Sequence, residues 1–251
     1  MSSEPPDHVV ELREVRLEFP PKTVLDGVSL KVEPLDRLVI MGQSGSGKST
    51  ILRLILGILQ PTDGQIFFKQ FEITRLQRRK LQQVRTHIGM VYQYSALLSS
   101  RNVRDNIALP LEELTTKTNA EIDRIVDEKL ELVGMIDSKS QMPSELSGGM
   151  RKRVSLARAL VMDPELILFD EPSAGLDPVI SSVIDELIIS LSERSQVTSI
   201  IVTHEMDSAF RIGTRMAMLY QGKVHADAPR GPAAKAGHHG VCQCACDGTE
   251  G

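Results

Sequence analysis

The run Gly42-Gln-Ser-Gly-Ser-Gly-Lys-Ser-Thr50 lies between the apolar stretch Leu38-Val39-Ile40-Met41 and the segment Ile51-Leu52-Arg53-Leu54-Ile55. The pattern G-x-x-x-x-G-K-[ST] carries meaning only where a strand precedes it and a helix follows, and both flanks are present here. Glycines 42, 45 and 47 let the backbone turn tightly and aim its N–H groups inward. The helix dipole adds a preference for negative charge at the same point. Gln43, Ser44, Ser46 and Thr50 make up the rest of the cradle. Lys48 is placed to reach the outer phosphates of a nucleotide, and the Ser49 hydroxyl to complete a Mg²⁺ shell.

A phosphate loop of this kind needs a buried parallel sheet behind it, and the chain supplies candidates. Leu38–Met41, Leu166–Phe169 and Ser199–Thr203 are short unbroken apolar runs, as expected for parallel strands covered on both faces. Between the last two, Val183, Ile184, Leu187, Ile188 and Leu191 recur at helical spacing, which predicts a helix over 179–191 and a strand-helix-strand unit. The expected class is therefore doubly wound α/β. Val9–Val15 and Val24–Val32, separated by Pro20-Pro21-Lys22, predict a small antiparallel sheet. From about 94 to 160 the pattern turns mostly helical, with Asn119 expected to cap a helix bearing Ile122, Ile125, Val126, Leu130 and Val133. After Val224 large apolar residues almost vanish, so residues 225–251 are expected to be a disordered tail. Cys242, Cys244 and Cys246 lie in that tail beside His238 and His239, at a spacing that fits no common zinc pattern.

Length and charge narrow the function classes. With 251 residues and 41% hydrophobic content, one large α/β domain, or one with a small insert, can build a real core. No apolar stretch approaches the ~18 residues of a membrane span, and the start Met-Ser-Ser-Glu-Pro-Pro-Asp lacks a signal-peptide layout. The expectation is a cytoplasmic chain held at a membrane only by a partner. A net charge of -4 gives no basic footprint for nucleic acid. The basic runs Arg78-Arg79-Lys80 and Arg151-Lys152-Arg153 read as solvated helix faces.

Two further elements carry chemistry. Leu166-Ile-Leu-Phe-Asp170-Glu171 is an apolar strand ending in two acids, of which Asp170 is placed to hold Mg²⁺ and Glu171 to face an attacking water. Leu146-Ser147-Gly148-Gly149-Met150 opens another helix, where Ser147 can cap and the paired glycines leave N–H groups free for an anion. With two phosphate-binding helix ends in one chain, the sequence resembles the nucleotide-binding subunit of ATP-binding cassette (ABC) transporters, whose signature is Leu-Ser-Gly-Gly-Gln. The resemblance covers about residues 9–224. It implies a P-loop NTPase fold with a RecA-like core, a small antiparallel β subdomain and a helical insert.

The resemblance assigns the remaining motifs in order. Phe19 corresponds to the aromatic that stacks on adenine, and Gln93 to the glutamine that senses Mg²⁺ and water and begins the permease-contacting segment. Ser173-Ala-Gly-Leu-Asp177 matches the loop that signals between subunits, and His204 the switch histidine at the γ-phosphate. ATP and Mg²⁺ are then the implied ligands. The implied partners are a second copy, whose Ser147–Met150 covers the nucleotide held by Lys48, and an integral membrane permease. Met150 in place of glutamine, with Tyr94-Ser-Ala-Leu-Leu-Ser-Ser and Asn106-Ile-Ala-Leu-Pro-Leu, resembles ATPases of phospholipid-trafficking Mla (maintenance of lipid asymmetry), MCE-associated systems. Glycine-betaine importers share that methionine but carry a further domain, and ABC ATPases that work without a permease carry two cassettes or a long coiled-coil insert. Family members also continue past Val224 into a helix-forming segment, so Pro229–Pro232 and the cysteine tail point to an unusual or frame-shifted terminus.

Overall fold

The computed structural model describes residues 8–230. Strands β1 (Val10–Phe19) and β2 (Lys22–Val32) form an antiparallel hairpin, followed by β3 (Arg37–Met41) and helix α1 (Lys48–Ile55). Next come β4 (Asp63–Phe68), the two-residue β5 (Phe71–Glu72), α2 (Arg78–Arg85) and β6 (Ile88–Val91). Three helices fill the chain before the next strand: α3 (Val103–Leu114), α4 (Asn119–Leu132) and α5 (Gly148–Leu160). The remaining elements are β7 (Leu166–Asp170), α6 (Pro178–Arg194), β8 (Thr198–Thr203), α7 (Met206–Ile212), β9 (Arg215–Tyr220) and β10 (Lys223–Pro229).

The central sheet runs β10-β9-β3-β8-β7-β6, parallel throughout except for β10 at its edge. A second sheet, β2-β1-β4-β5, is antiparallel. Alternation along the central strands separates two apolar clusters. Leu38, Ile40, Leu166, Leu168, Ile200 and Val202 pack towards α1 and the antiparallel sheet. Val39, Met41, Ile167, Phe169 and Ile201 pack towards α3–α7. Both faces of β3, β7 and β8 are thus covered, which is why these runs are apolar without interruption.

Three expectations are corrected. Thr118, not Asn119, caps α4: its side chain accepts from the Glu121 backbone while Glu121 accepts in return, a reciprocal capping box that leaves Asn119 as the first helical residue. The expected tail begins too early, because His225–Pro229 belong to β10, paired from Ala226↔Met218 to Pro229↔Arg215. Backbone pairing and the Arg215–Asp227 ion pair, with nitrogen–oxygen distances of 2.7 and 2.5 Å, hold these residues where side-chain burial does not. The Arg151–Arg153 cluster is no solvated face. Lys152 is only 4% exposed, and Arg151 and Arg153 donate to the carbonyls of Leu146 and Val133. The cysteine-histidine tract lies outside the described residues.

Candidate functional site

The phosphate loop sits at the carboxyl end of β3, where open parallel sheets place their ligands. Its glycines adopt positive φ (157° at Gly42, 79° at Gly45, 106° at Gly47). A Cβ at Gly42 would lie 2.2 Å from the Leu219 carbonyl oxygen, so only glycine lets the loop pass β9. Gly47 is the N-cap of α1 and offers no side chain to its N–H groups, leaving that end open to an anion. Lys48 is buried, and its Nζ folds back onto the carbonyls of Gly42 (2.8 Å) and Gln43 (3.1 Å). Burial pushes its ammonium below the ordinary lysine range against the pull of Glu171 and Asp170.

The two acids diverge at the tip of β7. Asp170 accepts from the Ser49 hydroxyl at 2.7 Å, which joins a carboxylate to a hydroxyl across α1 and β7. Glu171 takes a left-handed backbone conformation, φ 49°, its N–H donating to the Val202 carbonyl. Such a conformation in a non-glycine residue costs of order 1–3 kcal/mol and concentrates at functional sites. Its effect is to aim the carboxylate sideways: Oε1 lies 2.9 Å from His204 Nδ1 and 4.0 Å from Lys48 Nζ. Glu171 is 8% exposed, whereas the His204 side chain is 58% exposed and opens the pair to solvent.

These residues fit Mg²⁺ and a polyphosphate. Ser49 and Asp170 present hard oxygens side by side, the donor set magnesium selects. The Ser46 hydroxyl, inside the loop, is buried with no hydrogen-bond partner, as expected of a group awaiting a phosphate oxygen. Phe19 stands at the end of β1, 52% exposed and paired with Lys22, while Val24 and Leu25 two strand positions further abut Gly47. The hairpin end therefore adjoins the loop with an aromatic face free for stacking.

Gln93 follows β6, and its carbonyl accepts from Lys152 Nζ at 2.5 Å. Lys152 also reaches the Glu171 carbonyl at 3.4 Å. Burial lowers its ammonium to about 8 despite the nearby charges of Asp170 and Glu171. Two more residues on the same face of α5 grip this segment: Ser155 and Arg158 both donate to the Ser95 carbonyl, and Arg158 also to that of Ala96. Sequence reasoning missed Lys152, whose only signal was a lysine flanked by arginines beyond the signature glycines.

Ser147 caps α5, its hydroxyl accepting from the Met150 N–H at 3.3 Å. A Cβ on Gly149 would lie 2.8 Å from Ile180 Cγ2, and one on Gly148 3.1 Å from Leu176 Cδ2, so these glycines admit the first turn of α6 and the loop that ends at Asp177. Asp177 itself caps α6 through the N–H groups of Val179 and Ile180. Within one chain the structure thus gathers Lys48, Ser49, Asp170, Glu171 and His204, with Gln93 tied in by Lys152. Among the described residues, no hydrogen bond joins Ser147–Met150 to the phosphate loop.

A phosphate loop and a strand-borne acid pair on a parallel sheet define a P-loop NTPase site. Residues 25–174 match the family described as ABC transporter, and the chain belongs to that family. It is 38% identical over 221 residues to a probable ribonucleotide transport ATP-binding protein of Mycobacterium leprae, covering 88% of this chain and 64% of that one. It is 40% identical over 220 residues to an intermembrane phospholipid transport system ATP-binding protein of Haemophilus influenzae, covering 88% and 83%. The chain thus spans less than two thirds of the mycobacterial relative's length. Its fold superposes, with TM-score 0.80 and 30% identity over 88% of this chain and 99% of the other, on an ATP-binding cassette solved as a dimer in a post-hydrolysis state with ADP and Pi.

Proposed function

We propose that this chain is the ATP-binding and hydrolysing subunit of an ABC transporter, driving a membrane permease by ATP-dependent closure of a dimer, in phospholipid trafficking. The observation that carries the catalytic part is Glu171, held by a left-handed backbone between Lys48 and His204. A carboxylate so placed serves as general base towards a water beyond the γ-phosphate. Lys48, released from its two carbonyls, and His204 then face the charge that develops on the transferred phosphoryl group. Ser49 and Asp170, with Gln93, would hold Mg²⁺, whose charge would offset that of the outer phosphates. Phe19 stacks on the adenine.

The second half of each site comes from the other subunit. Among the described residues Ser147–Met150 makes no hydrogen bond to the phosphate loop of its own chain, and beyond the one N–H that Ser147 caps, the start of α5 can take an anion. Two chains stacked head to tail supply it, each covering the nucleotide of the other. Hydrolysis removes the γ-phosphate contact between the halves and lets them part, the logic of other nucleotide switches. The exposed Tyr94 and Leu98 after Gln93 are the surface offered to the permease. No helix among the described residues is long and apolar enough to cross a membrane. In this reading the permease holds the chain at the membrane's inner face.

The phospholipid reading rests on the Haemophilus relative together with Met150 and the segments after Gln93. Its test is reconstitution of the full-length chain, with the permease that co-purifies with it, into vesicles containing fluorescent phospholipid. ATP should drive net movement of the label. Hydrolysis without movement would assign the subunit to a transporter of another substrate, and hydrolysis without any co-purifying permease would overturn the transport reading.

A further inference from the structure

Asp185, in the middle of α6, is fully buried, the most buried carboxylate among the described residues. A charge in such a place is costly unless every lone pair is used. Its partners come from outside its own helix. Oδ1 accepts from the Ser173 hydroxyl at 2.9 Å and from the Ser208 hydroxyl at 2.7 Å, and Oδ2 accepts from Arg211 at 3.0 Å. Ser173 and Ser208 are themselves almost wholly buried and lie 3.3 Å apart.

The positions of those two serines give the cluster its meaning. Ser173 comes two residues after Glu171 and opens the loop to Asp177; Ser208 comes four residues after His204, on α7. The chain segments that carry Glu171 and His204 are therefore joined twice. One joint is the exposed 2.9 Å contact between the functional side chains, and the other is this dry, charged one. We infer that Asp185 is a positioning residue for hydrolysis: accepting from Ser173 and Ser208 together, it fixes the approach of Glu171 to His204 and makes the Ser173–Asp177 loop move with α7. A force on that loop at the dimer joint then reaches His204 through bonded contacts. A displacement of about 1 Å in a reacting group can cost about 10²-fold in rate, so such a strap has leverage.

This inference rests on the reading of Glu171 and His204 as the hydrolytic pair, and its test separates the two. In the full-length chain, Asp185→Leu deletes the acceptor and fills the space, while Asp185→Asn keeps an amide oxygen for both hydroxyls and gives up only the ion pair with Arg211. Asp185→Leu should lose more than about 5-fold in kcat with KM for Mg-ATP within about 3-fold. Calorimetric affinity for ADP should stay near wild type, Tm should fall because two buried hydroxyls lose their acceptor while the chain stays folded at the assay temperature, and Asp185→Asn should keep at least about half the wild-type kcat. A smaller loss in Asp185→Leu, an equal loss in both variants, or a loss matched by an equal fall in ADP affinity overturns the inference. Should Asp185→Leu fail to fold, Ser208→Ala removes one strap with a single oxygen: a kcat lowered at unchanged Tm supports the inference, and an unchanged kcat overturns it. Glu171→Gln runs beside them. If that variant hydrolyses ATP as wild type does, the site reading itself has failed; if it is inactive while Asp185→Leu is active, only Asp185 is removed.

Discussion

Two residues, Glu171 and Lys152, shape the geometry of the proposed catalytic site. Glu171 is turned by its left-handed backbone, so that consecutive acids serve different ends, one at Ser49 and one at His204. Lys152 lies beneath them and joins the Gln93 and Glu171 carbonyls to α5, with its charge desolvated. Lys152→Met should therefore lower kcat about 10-fold or more by freeing those two backbones. Its Tm should stay level or rise, since an apolar side chain replaces a buried cation; steady-state kinetics beside calorimetry would check both. In the proposed function Phe19 acts on the nucleotide alone. Phe19→Ala should weaken ATP binding by about 1–3 kcal/mol, the usual worth of a base on an aromatic face, with turnover at saturation little changed, as titration calorimetry and kinetics would measure.

Among the elements, α5 does most to organise the site: Ser147 caps its start, and Lys152, Ser155 and Arg158 hold the segment after β6. Helix α4, by contrast, is remote support. Thr118→Ala should remove its capping box and cost about 1 kcal/mol of stability, read by denaturant unfolding, without altering hydrolysis. The same contrast explains what the sequence made legible. Strands β3, β7 and β8 announce themselves because burial on both faces demands unbroken apolar runs, and the phosphate loop because Gly42 answers a steric need at Leu219 and Gly47 one at Leu25. β10 is exposed along most of its length and is held by backbone pairs and an ion pair, so its Ala-Asp-Ala-Pro reads as tail. The two residues of β5 leave no periodicity to detect. Lys152 was hidden for another reason. A charged residue in a basic run looks solvated until the fold shows two carbonyls waiting for it.

In the whole molecule, one parallel sheet separates two apolar clusters and brings Met41, Asp170 and Thr203 to a common edge. The loop after β3, the acids after β7 and the histidine after β8 meet there because those strands are neighbours. The signature end of α5 packs against its own Leu176 and Ile180. Under the proposed function, a complete site needs two molecules. The most direct measurement is the molar mass of Glu171→Gln by size exclusion with light scattering, in ATP and in ADP. That variant should bind ATP, hydrolyse it about 10²- to 10⁴-fold more slowly, and run as a dimer in ATP but a monomer in ADP. A monomer in saturating ATP, or turnover equal to wild type, would contradict a site shared between two chains and fired by Glu171.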